Sequence, residues 1–173
     1  MLLLALLPVS PRLPAAHMVP EQQVVMTTQI TTPSPKLSPV EVTEQQLEAL
    51  KQGDVQSCFE FASPANKANT GPWQRFELMV RQTPAYSPLV GCTRYAVVGA
   101  LPTGDSGYRC RVRVWPAGGS SAPFAVAAPV IDYDWLLSKQ PDESEPGVAG
   151  CWMVDGVMPD SSPRDAWDSA RGE

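Results

Sequence analysis

The sequence predicts an α+β domain in which N-terminal helices pack on one face of a curved antiparallel sheet of about four strands. Two observations carry that reading. A helix-start signal at Ser38-Pro39-Val40-Glu41 opens a region with apolar residues at helical spacing, extending to about Gln82. After Pro84 and Pro88 the pattern changes to period two, and alternating segments separated by turn-rich ones continue to Met158.

Each element has a local cause. Ser38 caps the first helix, Pro39 suits its first turn, and Glu41 completes a capping box. Val40, Leu47 and Leu50, with Thr43 between them, share one face, and Gly53 supplies the left-handed stop. Asp54 caps a second helix, Val55 to Ala62, which Ser63-Pro64 ends because the residue before a proline avoids the helical region. Residues 63–71 read as a linker, and Thr70-Gly71-Pro72 opens a third helix to about Gln82. Trp73, Phe76, Met79 and Val80 form its stripe, expected to be buried.

Thr93 to Gly99 reads as a first strand and Tyr108 to Trp115 as a second, with Pro102 to Gly107 as the turn between. The second strand alternates Tyr108, Cys110, Val112 and Val114 against Arg109, Arg111, Arg113 and Trp115. Phe124 to Ser138 supplies a third strand, interrupted near Pro129, and Cys151 to Met158 a fourth.

The chain divides into a leader or targeting segment (1–36), one α+β domain (37–158) and an acidic tail (159–173). Met1 to Leu7 is apolar but far too short to span a bilayer. Ser10 to Ser38 is rich in Ser, Thr, Pro and Gln, with Glu21 its one acid, a composition typical of organelle transit segments. The 173 residues are 43% apolar, enough for a substantial core. The net charge of −5 argues against sequence-independent nucleic-acid binding and against a polybasic membrane contact. Eight acids and two bases fall in 141–173, leaving the rest near neutrality.

Cys58, Cys92, Cys110 and Cys151 form no C-x-x-C pair, and His17 is the sole histidine, so no zinc-ligand spacing exists. They read as small buried hydrophobes. Phosphate loops of either glycine-rich type and the G-x-S-x-G elbow are absent. No cofactor is expected.

Four motifs carry a family resemblance: Gln46-Leu-Glu-Ala-Leu50 with Asp54-Val55, Phe59 to Asn66, Thr70 to Val80, and Gly150-Cys-Trp-Met-Val-Asp-Gly-Val157. Over roughly 38–158 the chain resembles the NTF2-like (cystatin-like cone, SnoaL-like) superfamily. Within it the likeness is to an uncharacterised family of bacteria and photosynthetic eukaryotes. The resemblance implies helices on a cone-shaped sheet but no particular activity, since isomerases, cyclases, ligand-binding domains and dimerisation modules share that fold. With the leader's composition, it implies a chloroplast location.

Three groups of residues are the candidates for function. Arg109, Arg111 and Arg113 share one face of one strand and form either an anion-facing patch or, as we favour, cross-strand pairs with Asp132 and Asp134. That face is the expected interface with a second copy or a protein partner. Asp155 and Tyr133 are the candidate catalytic residues, because a carboxylate held among Trp152, Tyr133 and Trp135 gains basicity by burial; the competing reading of Asp155-Gly156 is a turn. Trp73, Trp135, Trp152 and Asn66 are candidate contacts for a small apolar ligand, with Asn66 and Asn69 alternatively tying down loop backbone. No convincing acid–base pair is present. The expectation is therefore a non-catalytic binding or assembly module, with a small-molecule isomerase or cyclase as the alternative.

Overall fold

The computed structural model describes residues 30–118 and 129–160. Four helices come first: α1 (Pro39–Gln52), α2 (Val55–Glu60), α3 (Pro64–Thr70) and α4 (Trp73–Gln82). A 3-10 turn, Ser87–Leu89, leads into β1 (Arg94–Pro102), β2 (Gly107–Trp115), β3 (Ile131–Lys139) and β4 (Trp152–Pro159). The strands form one antiparallel meander in the order β1-β2-β3-β4. The predicted α+β class, with helices against a curved antiparallel sheet, is what the chain adopts.

The helix boundaries follow the capping chemistry. The Ser38 hydroxyl accepts from the Glu41 backbone N–H at 3.3 Å, and the Glu41 carboxylate accepts from the Ser38 N–H at 2.7 Å. Gly53 stops α1 at φ 77°. Asp54 accepts from the Ser57 N–H at 3.0 Å and starts α2.

Residues 63–71, read from sequence as a linker, are largely helical. Ser63 accepts from the Asn66 N–H at 3.2 Å, and Pro64 occupies the first helical position. The Ser-Pro pair that ends α2 therefore also begins α3, by the same capping logic as Ser38-Pro39.

A second departure concerns α4. The stripe expected to be buried is only partly so: Val80 is the one buried residue of the helix, and Met79 remains 37% exposed. The reason is position. α4 packs on α2, α3 and the 3-10 turn, and a cavity separates it from β4. Phe76 stacks on Phe59 with ring centroids 5.1 Å apart.

In the sheet, Cys110, Val112 and Val114 of β2 and Tyr133, Trp135 and Leu137 of β3 point inward and are buried. β3 begins at Ile131, so the part of the expected third strand from Phe124 to Ala128 lies outside the described residues. The edge at β4 is closed by the chain between α2 and α3: the Val154 N–H donates to the Phe61 carbonyl at 2.9 Å, and the Ser63 N–H to the Val154 carbonyl at 2.8 Å. The opposite edge, β1, carries a bulge at Val98 and ends on Pro102, features that discourage edge-to-edge pairing. Ile30 packs against the core, and the Thr31 N–H donates to the Gln45 side-chain oxygen at 2.7 Å. Residues 1–29 and 161–173, most of the leader and of the tail, lie outside the described residues.

Candidate functional site

A cavity of about 200 Å³ lies between the helices and β4. Leu50, Phe76, Val80, Leu89 and Val154 give it an apolar wall. Its polar lining consists of Gln46, Cys58, Asn66, Thr70 and Tyr86, and among the described residues no Asp, Glu, Lys, Arg or His borders it. Gln46, Asn66, Thr70 and Tyr86 are anchored. Gln46 accepts from the Trp135 indole N–H at 2.9 Å and donates to the Cys58 carbonyl at 3.0 Å. Asn66 donates to the Val154 carbonyl at 3.1 Å, Thr70 to the Asn66 carbonyl at 2.8 Å, and Tyr86 to the Val157 carbonyl at 3.2 Å. Burial, reinforced by the nearby Asp54 charge, pushes the Cys58 thiol well above its ordinary pKa, which keeps it protonated and a poor nucleophile.

The second feature is on the other face of the sheet. Arg109 and Arg111 both reach Asp134, Arg111 also meets Asp160 at 3.0 Å, and Arg113 makes a two-pronged contact with Asp132 at 2.9 and 3.0 Å. Register explains the pairing: Arg111 lies opposite Asp134, and Arg113 opposite Asp132. Asp134 and Asp132 are only 6% and 9% exposed because the arginine side chains lie over them. Burial alone would raise the Asp134 pKa; the hydrogen bonds and charges of Arg109 and Arg111 outweigh it and hold the carboxyl below its usual range. The arginines are thus compensated by carboxylates of the same face.

Asp155 and Tyr133 are not brought together. Asp155 is the extra residue of a bulge in β4, exposed, and accepts from the Ser138 hydroxyl at 3.0 Å. Tyr133 is fully buried on the inner face, pairs with Pro159 in register, and donates to the Ala85 carbonyl at 2.9 Å. Burial, with smaller effects from Tyr86 and Cys92, pushes its pKa up to about 12. Nor does the expected aromatic cage form around Asp155: Trp135 is buried with its N–H on Gln46, and Trp152 stacks edge-on against Tyr108 at 5.9 Å.

Of the four candidate ligand contacts, Asn66 alone lines the cavity; Trp73, Trp135 and Trp152 do not. Gln46 and Tyr86 line it without having been singled out. Gln46 carried a readable signal, a polar residue beside Leu47 on the apolar side of α1. Tyr86, in a proline-rich turn, carried none. Among the described residues no group of three or more His, Cys, Asp or Glu could hold a metal ion, and the four cysteines are free and buried. No described helix is long and apolar enough to cross a membrane.

The model of a family described as "Domain of unknown function (DUF4864)" matches residues 35–92. That stretch spans all four helices and the 3-10 turn, and with them most of the cavity wall, but none of the sheet. No curated protein and no solved structure is matched by the chain.

Proposed function

We propose that this domain is a non-catalytic assembly module of NTF2-like fold that pairs with a second copy of itself through the outer face of its sheet. The observation that carries this reading is the composition of that face. Leu101 and Met158, 52% and 53% exposed, lie in register with Arg109 and Asp134 and so flank the Arg–Asp ladder. The arginines and aspartates neutralise one another within each copy, so a second copy related by a two-fold axis can cover the face without stranding these charges. The apolar flanks supply area that gains from being covered.

The order of helices before a strand meander supports the NTF2-like reading of the fold. The cavity provides space for the alternative, a small-molecule isomerase or cyclase. Among the described residues its only titratable lining groups are Tyr86 and Cys58, so that alternative needs catalytic residues other than Asp155 and Tyr133. The leader's acid-poor, hydroxyl-rich composition and the family resemblance support a chloroplast location, which imaging of the tagged full chain tests.

Native mass spectrometry of the full chain, purified gently from its own source, tests the assembly. A dimer at micromolar concentration is expected. A monomer throughout that range contradicts the reading.

A further inference from the structure

We propose that the cavity beneath α4 binds a small uncharged molecule with an apolar, single-ring-sized body and one carbonyl-type acceptor, held by the side-chain amide of Gln46. This site is on the opposite side of the sheet from the assembly face and is independent of it.

Gln46 supplies the decisive chemistry. It is 3% exposed and sits in the cavity wall. The indole N–H of Trp135 can only donate, so the group 2.9 Å from it must be the Gln46 oxygen. The amide orientation is therefore fixed, and the nitrogen faces the Cys58 carbonyl at 3.0 Å. That nitrogen carries two hydrogens. One goes to Cys58; the second has no acceptor among the described residues. The nitrogen already has one partner in the Cys58 carbonyl, and an acceptor brought in by a ligand takes its second hydrogen. Across the space, Tyr86 spends its proton on the Val157 carbonyl and keeps its lone pairs, so it can accept from a hydroxyl or amide on the same ligand.

Volume and charge set the rest of the class. About 200 Å³ exceeds the ~150 Å³ apolar cavity that accommodates benzene in another protein. Among the described residues no charged one lines the space, so a carboxylate or ammonium would lose its hydration without a compensating partner. The partly exposed stripe of α4 fits the same picture. Phe76 and Met79 border the cavity, and an occupant would complete the burial that their spacing predicts.

The test uses the nitrogen-15-labelled full chain titrated with three probes of similar shape: acetophenone, benzoate and benzene. Acetophenone should give a saturable shift of the Gln46 side-chain amide in the low-millimolar range. Benzoate should bind at least about tenfold more weakly, a difference of about 1.4 kcal/mol. Benzene should move that amide resonance less than acetophenone does, because only the ketone accepts its hydrogen. Met79→Trp, which fills the cavity from a half-exposed position, should abolish acetophenone binding with an unchanged circular dichroism spectrum. The absence of saturable acetophenone binding overturns the proposal, as does equal affinity for benzoate or an unmoved Gln46 amide. These wild-type readouts decide the matter even if the Met79 variant folds poorly.

Discussion

Gln46 ties together parts of the chain that are far apart, joining Trp135 of β3 to the backbone of α2 through a single amide. Gln46→Leu keeps the volume but orphans the indole N–H, while the Cys58 carbonyl keeps the Phe61 N–H at 3.3 Å. It should cost about 1–3 kcal/mol for the donor left buried without a partner, read from the midpoint of urea unfolding. By contrast, Asp155→Asn should shift stability by no more than about 0.5 kcal/mol, because Asp155 is exposed and held only by Ser138. A larger loss there would restore a structural role that the exposed bulge does not suggest. Tyr133 behaves oppositely. Its pKa is higher in the folded chain than in the unfolded one, so its contribution is complete below pH 10 and fades as pH rises towards about 12. Tyr133→Phe should flatten that alkaline loss, measured as melting temperature against pH. Sequence reading found these residues but not their partners. Asp155 and Tyr133 belong to adjacent strands, yet the bulge at Asp155 shifts register and sends the two side chains to different faces, which alternation alone does not show.

At the scale of elements, local chemistry was the most legible level. The capping box, the glycine stop after α1 and the period-two strands all follow from residue spacing. The Arg–Asp ladder did too, because opposite charges at every second position meet across antiparallel neighbours. The α3 helix was missed because Ser-Pro serves two purposes: it stops one helix and caps the next. Ser63→Ala should therefore cost about 1 kcal/mol, seen in chemical denaturation. The ladder has its own pH signature. The Asp134 pKa is lowered in the folded chain, so its contribution is present above the ordinary aspartate value of 3.8 and is lost as pH falls through the folded value. Asp134→Asn should reduce the acid-induced drop in melting temperature. Arg111→Glu removes the contacts to Asp134 and Asp160 and adds a like charge. Because the arginine side chain is 39% exposed, its effect on folding is modest, about 1–2 kcal/mol.

The whole molecule presents two chemically different surfaces on the two sides of one sheet. On the inner side, helices cover a core that leaves an uncharged cavity under α4. On the outer side, a balanced set of charges lies between exposed Leu101 and Met158. The inward and outward rows could be read from the alternation of β2. The cavity could not, because its volume depends on how Phe76, Leu50 and Val154 pack, and that is set by the tilt of α4 rather than by any sequence period. The matched region, 35–92, contains the helices and most of the cavity wall, while the proposed assembly face lies wholly beyond it. Sedimentation equilibrium of the full chain against the double variant Leu101→Asp, Met158→Asp tests assembly most directly, because both side chains are exposed and their replacement leaves the core intact. The account predicts a wild-type dimer and a monomeric variant with an unchanged circular dichroism spectrum. A monomeric wild type, or a variant that dimerises as well as its parent, would contradict it.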